Sequence, residues 1–162
     1  MRTGIALGSN LGDRLAILRS AVQAVQSLND RPIRVSALYE SVPVGCAPGD
    51  PLFLNGVMEI DWIDQPQQLL GRLQELEAAA GRPTEHVKNA PRPLDLDILY
   101  WGHERIIQED LVLPHPRWYL RSFVYVPLVE IAEDWVKQET SDPEFVPPTD
   151  GLELFAAAGW HR

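Results

Sequence analysis

Cysteine is nearly missing from this chain. The single Cys46 excludes an intramolecular disulfide and a cysteine-rich zinc site, and it suits a reducing compartment. Long apolar runs are missing too. The N-terminal stretch Gly4-Ile5-Ala6-Leu7 breaks at once into Gly8-Ser9-Asn10, far short of a signal-peptide core, and nothing approaches the ~18 apolar residues of a membrane span. A cytoplasmic protein is therefore expected. Bases are scarce: 14 Lys plus Arg stand against 23 Asp plus Glu, a net charge of −9, which argues against a cationic surface for nucleic acid or anionic lipid. There is no internal repeat, no low-complexity tract, no Gly-Lys-Ser/Thr phosphate loop and no Rossmann glycine pattern. What is present, 162 residues with 45% hydrophobic and 23% charged, is the composition of one folded domain spanning residues 1–162.

The negative charge is concentrated. Residues 130–153 hold eight acids (Glu130, Glu133, Asp134, Glu139, Asp142, Glu144, Asp150, Glu153) and one base, Lys137, a net −7, so the rest is nearly neutral. Residues 133–162 read as an acidic extension of the same domain. Its prolines Pro143, Pro147 and Pro148 point to an irregular segment, with a terminal helical turn at Leu152–Ala158.

Periodicity places the elements. A short apolar strand, Thr3–Leu7, is followed by Leu11, Leu15, Leu18, Val22 and Val25 at helical spacing, with Asn10 as the expected N-cap and Asp13 at the third helical position. Ile33–Tyr39 alternates like a half-buried strand, and after the Pro/Gly loop from Val42 to Pro51 a third strand runs over Phe53–Ile60. Pro66 opens a second helix with Leu69, Leu70, Leu73, Leu76 and Ala80 on one face, stopping at Gly81. Leu94–Tyr100 is a fourth strand. The order β-α-β-β-α-β predicts an α+β, ferredoxin-like arrangement with an antiparallel sheet. Short strands at Arg105–Ile107 and Leu111–Leu113 and a third helix over Phe123–Ile131 are expected beyond it.

The chemistry concentrates in a few places. Along a strand side chains alternate, so Asp95 and Asp97 share one face about 7 Å apart while Leu94, Leu96 and Ile98 take the other. Two adjacent carboxylates need cationic compensation unless both stand in open water, and hard oxygen donors at this spacing suit one or two magnesium ions that also bind phosphates. The loop just upstream carries Arg82, Lys88 and Arg92 against one acid, Glu85. Arginine forks bind phosphate oxygens in pairs, and with magnesium they are the usual equipment of phosphoryl transfer. His115 sits between Pro114 and Pro116, with Arg121 and Phe123 close behind. The Gly8–Gly12 turn is read as helix capping.

The run Lys88-Asn89-Ala90-Pro91-Arg92-Pro93-Leu94-Asp95-Leu96-Asp97-Ile98-Leu99 resembles the signature of the 6-hydroxymethyl-7,8-dihydropterin pyrophosphokinase family of folate biosynthesis. Further blocks fall in the same order: Ala6–Gly12, Phe53-Leu54-Asn55, Gly81-Arg82, Leu113-Pro114-His115, Arg121–Val124 and Pro127–Ala132. The resemblance spans Thr3 to about Ala132. It implies a ferredoxin-like αβα core, two magnesium ions on Asp95 and Asp97, and ATP as co-substrate held by Arg92, His115 and Arg121, with Gln74, Glu77 and Ile98 also at the nucleotide. It implies a pterin ring between Phe53 and Phe123, its polar edge read by Asn55 and by Ser41, Val42, Pro43 and Val44. Asp95 would touch the pterin hydroxyl, and Arg82 and Arg92 would offset charge on the transferred group. The expected partners are these two small molecules, with no nucleic acid and no membrane, and a monomer is the expected state. Asn89 stands where some members carry tryptophan, and Thr84 and Glu85 where some carry bases.

Two other readings are compatible with parts of the pattern. A magnesium-dependent nucleotidyltransferase also pairs Gly-Ser with Asp-x-Asp, but there the acids follow within about one helix, whereas Gly8-Ser9 and Asp95/Asp97 lie more than half a chain apart. A non-catalytic ferredoxin-like ligand-binding module would tolerate loss of Asp97.

Overall fold

A computed structural model describes residues 1–42, 49–81 and 90–162. The central strand β1 (Arg2–Ser9) is flanked by β4 (Phe53–Asp61) and β5 (Asp95–Trp101), antiparallel on both sides. Beyond β4 lie β2 (Arg34–Val35) and β3 (Leu38–Ser41), and the last strand β8 (Leu152–Ala156) pairs with β3, giving the order β5-β1-β4-β3-β8. A separate ribbon joins β6 (Ile106–Ile107) and β7 (Val112–Leu113). The helices are α1 (Arg14–Gln26), α2 (Pro66–Ala79) and α3 (Ser122–Glu139). The expected β-α-β-β-α-β order is present with one strand more, β2 and β3 standing where a single strand was expected. Among the described residues no helix is long and apolar enough to cross a membrane.

Alternation along the central strands makes two cores. Ile5 and Leu7 of β1, Leu54, Met58 and Ile60 of β4, and Leu96 and Ile98 of β5 pack with Leu18, Val22, Leu69 and Leu73 of α1 and α2. On the other face Val57, Leu99 and Tyr100 pack with Val124, Leu128, Trp135 and Val136 of α3. A one-residue irregularity between Gly4 and Ile5 in the β1–β5 pairing lets Leu99 and Tyr100 both serve this second core. Helix α3 covers only part of its face. The part over Ala6, Gly8, Asn55, Asp95 and Asp97 stays open, and that opening is the site.

At Gly4 the absence of a side chain is a packing requirement. A Cβ there would stand 2.3 Å from Tyr100 Cε1, and the Tyr100 ring is fixed by stacking on Trp135 at 4.0 Å and by donating its hydroxyl to buried Glu59. Gly4→Ala is expected to destabilise the fold by about 3 kcal/mol, lowering Tm by about 6–12 °C; a thermal melt checks this, and an unchanged midpoint would contradict the packing.

Four expectations change on contact with the structure. Helix α1 begins at Arg14 and its N-cap is Asp13, whose carboxylate accepts from Ala16 N–H at 3.2 Å. Asn10 is not the cap, because Gly12 intervenes with φ +79°, outside helical geometry. The single strand expected over Ile33–Tyr39 is two. At its break the Ser36 hydroxyl accepts from Val57 N–H at 2.9 Å and Ala37 N–H turns out to the Glu130 carboxylate at 3.1 Å. The third helix runs past Ile131 to Glu139 across a kink at Ala132 (φ −141°), since Trp135 and Val136 are buried inside the acidic stretch. The helical turn expected at Leu152–Ala158 is instead β8: the free edge of β3 overrides local helix propensity. Past β8, Trp160 is buried and donates from its indole to Ser36 C=O at 2.8 Å.

Candidate active site

The open part of the α3 face forms a concave cleft between the sheet and the start of α3. Its floor is Ala6, Leu7 and Gly8 of β1. The smallness of Ala6 and Gly8 leaves room above the sheet, and a Cβ at Gly8 would lie 3.5 Å from the Phe53 ring and 3.7 Å from Asn55 Oδ1.

One wall comes from β3 and β4. Ser41, Val42, Phe53 and Asn55 line it, and Asn55, only 5% exposed, donates its amide to Ser41 Oγ at 2.7 Å. The opposite wall is β5, whose Asp95 and Asp97 both face the cleft, opposite Gly8 and Ala6 in register. Arg92 enters just before β5. Its guanidinium lies over the Phe53 ring, 5.4 Å from the centroid, and its Nε stands 3.5 Å from Asp95 Oδ2. At that distance the ion pair is longer than a hydrogen bond, and Nε is a buried donor with no hydrogen-bond acceptor among the described residues. The third wall is the start of α3 with the preceding turn: Arg121, Phe123 and Val124, with Arg121 over the Phe123 ring at 5.6 Å. Each phenyl ring thus carries an arginine on its face.

His115 closes the cleft between β5 and α3. Its backbone N–H donates to Leu99 C=O at 2.7 Å, and its Nδ1 accepts from Arg117 N–H at 3.1 Å, which leaves the proton on Nε2. Burial, then the nearby Arg121 and Arg117, lowers the imidazole to about 4, against a smaller opposing pull from Asp95. The ring is a neutral Nε2–H donor at neutral pH. Burial and Arg117 also hold the Arg121 guanidinium below its ordinary pKa, with Asp97 and Asp95 working the other way.

A histidine kept neutral on folding binds fewer protons than the unfolded chain between pH 6.5 and about 4. The stabilisation this gives is complete above 6.5 and is lost as pH falls toward 4. The His115 ring is expected to titrate near pH 4 by NMR, and His115→Gln is expected to flatten part of the fall in Tm over that window. A ring midpoint near 6.5 would contradict the burial.

The structure therefore brings together Ser41, Val42, Phe53, Asn55, Arg92, Asp95, Asp97, His115, Arg121 and Phe123. Three nucleotide candidates lie elsewhere. Gln74 is exposed on α2; Glu77, half-buried one turn on, accepts from Leu96 N–H at 3.4 Å; the Ile98 side chain is buried in the core under α1 and α2. Arg82, Pro43 and Val44 lie outside the described residues. The sequence reading missed the floor, Ala6 to Gly8, although the small residues at alternate positions of β1 carried the signal.

For a metal, the donor chemistry fits magnesium. No group of three or more His, Cys, Asp or Glu able to hold an ion occurs among the described residues. Two carboxylates on one strand face would supply oxygen donors of the kind magnesium takes alongside water and phosphates.

Two carboxylates, two arginines and a neutral imidazole beside paired aromatic rings define a transferase-type cleft that can seat a polyphosphate against a flat heterocycle. The profile of the 7,8-dihydro-6-hydroxymethylpterin-pyrophosphokinase family matches residues 4–133, and the chain belongs to that family. It is 44% identical over 138 residues to the 2-amino-4-hydroxy-6-hydroxymethyldihydropteridine pyrophosphokinase of Bacillus subtilis, covering 85% of this chain and 81% of that one. The Haemophilus influenzae protein of the same name is 42% identical over 134 residues, 82% of each chain. A folate synthesis bifunctional protein of Arabidopsis thaliana is 39% identical over 127 residues, 78% of this chain but 26% of that longer protein.

Proposed function

We propose that this protein transfers the pyrophosphoryl group of ATP to the hydroxymethyl oxygen of 6-hydroxymethyl-7,8-dihydropterin in folate synthesis, releasing AMP. The observation that carries it is the single cleft in which Phe53 and Phe123 share walls with Arg92, Asp95, Asp97, His115 and Arg121, in a chain of this family. The pterin lies between the two rings, its polar edge met by Asn55, Ser41 and the backbone from Val42 to Val44. The triphosphate lies against Arg92, His115 and Arg121, and the rest of the nucleotide extends out of the cleft toward Gln74, Glu77 and the backbone of Ile98, whose side chain is in the core.

The hydroxyl oxygen attacks Pβ, the new O–Pβ bond forms as the bond from Pβ to the α,β-bridging oxygen breaks, and AMP leaves with that electron pair. No covalent enzyme intermediate is required. Asp95, on the β5 wall beside Arg92, orients the hydroxyl and accepts its proton. Arg92, and Arg82 from the preceding segment, offset the charge gathering on the transferred group, and His115 donates Nε2–H to a phosphate oxygen. Asp95 and Asp97 would hold magnesium, two ions in this reading, and bound there the metal would supply neutralisation of the phosphate charge. The protein acts as a monomer. Residues 133–162 belong to the same domain, a reading supported by β8 in the sheet and Trp160 in the core.

Product analysis with magnesium, ATP and hydroxymethyl-dihydropterin tests the proposal. AMP and a pterin pyrophosphate are expected in equal amounts, with turnover abolished by EDTA and restored by magnesium. Release of free pyrophosphate with an adenylylated pterin would establish the nucleotidyltransferase alternative, and no turnover would establish a binding module.

A further inference from the structure

Asn10, displaced from its expected place as a helix cap, is fully buried and bonded to both segments that frame the cleft. Its backbone N–H donates to Arg92 C=O at 3.1 Å, and its side-chain Oδ1 accepts from Arg92 N–H at 2.8 Å. Its Nδ2 donates to Pro51 C=O at 3.3 Å. One amide side chain therefore ties β1 to the residue whose guanidinium covers Phe53 and pairs with Asp95, and to the chain two residues before Phe53 itself. A buried amide that spends both its acceptor and its donor on backbone of two different segments holds a geometry that apolar packing alone leaves adjustable.

We infer that Asn10 is a positioning residue that fixes the phosphate-side Arg92 relative to the ring-side Phe53, and so sets the alignment of the two substrates. This rests on the proposed pyrophosphoryl transfer. Misplacement of a reacting group by about 1 Å costs on the order of 100-fold in rate, so Asn10→Ala is expected to lower kcat about 10- to 100-fold with KM for ATP changed less than about threefold. In an Arg92→Ala background, where no guanidinium remains to be aligned, the same substitution is expected to cost less than about threefold under single turnover.

Equal fold-losses in the two backgrounds, or no loss in either, overturn the role. If Asn10→Ala does not fold, Asn10→Asp keeps the acceptor for Arg92 N–H and removes the donor to Pro51. It is then expected to weaken pterin binding about tenfold while nucleotide-analogue affinity stays within threefold; unchanged pterin affinity overturns the role. A wild-type chain that makes no AMP defeats the functional reading, and the role of Asn10 falls with it. Normal wild-type turnover with equal losses defeats Asn10 alone.

Discussion

Asp97→Ala is expected to lower kcat by about a thousandfold and to leave Tm within a few degrees of the wild type. Asp95 and Asp97 share one face of β5 and both line the cleft. Under the proposed reaction they would be the metal-holding side chains, and charge stabilisation of this kind contributes several kcal/mol to the transition state. Stability is spared because Asp97 is half-buried at an open wall rather than inside either core. Stopped-time assays across a magnesium titration check the first part and a thermal melt the second. Normal rates at saturating magnesium would refute the metal assignment.

Phe123→Ala is expected to weaken pterin binding about 10- to 100-fold. A flat heterocycle stacked on an aromatic side chain gains about 1–3 kcal/mol from that face, and Phe123 is one of two phenyl rings lining the cleft. Because the Arg121 guanidinium rests on the same ring, a smaller rise in KM for ATP is expected alongside. Titration calorimetry of the pterin with a non-hydrolysable nucleotide present measures the first effect. An unchanged pterin affinity would remove Phe123 from the ring site.

Much of this site was legible in the sequence because its residues follow strand arithmetic. Asp95 and Asp97 had to share a face, and Leu94, Leu96 and Ile98 had to take the other, once β5 was recognised as a strand. The structure keeps that division, with the leucines and Ile98 in the helix-covered core. Local signals failed where a tertiary partner outcompeted them. Asn10 has the chemistry of a cap, but Arg92 and Pro51, distant in sequence, claim its amide. Residues 152–156 have helix-compatible composition, but an unpaired strand edge offers a full ladder of hydrogen bonds. The floor at Ala6 and Gly8 was overlooked for a related reason: what matters there is the absence of side chains under a gap that α3 leaves uncovered, and no single-residue pattern announces a gap.

The most direct measurement follows the phosphorus atoms of ATP. With hydroxymethyl-dihydropterin and magnesium, label at the γ position should appear entirely in the pterin product and label at the α position entirely in AMP, because the bond that breaks lies between Pβ and the oxygen bridging it to Pα. Label from the α position in the pterin product, or γ label released as free pyrophosphate or transferred alone with formation of ADP, would contradict pyrophosphoryl transfer.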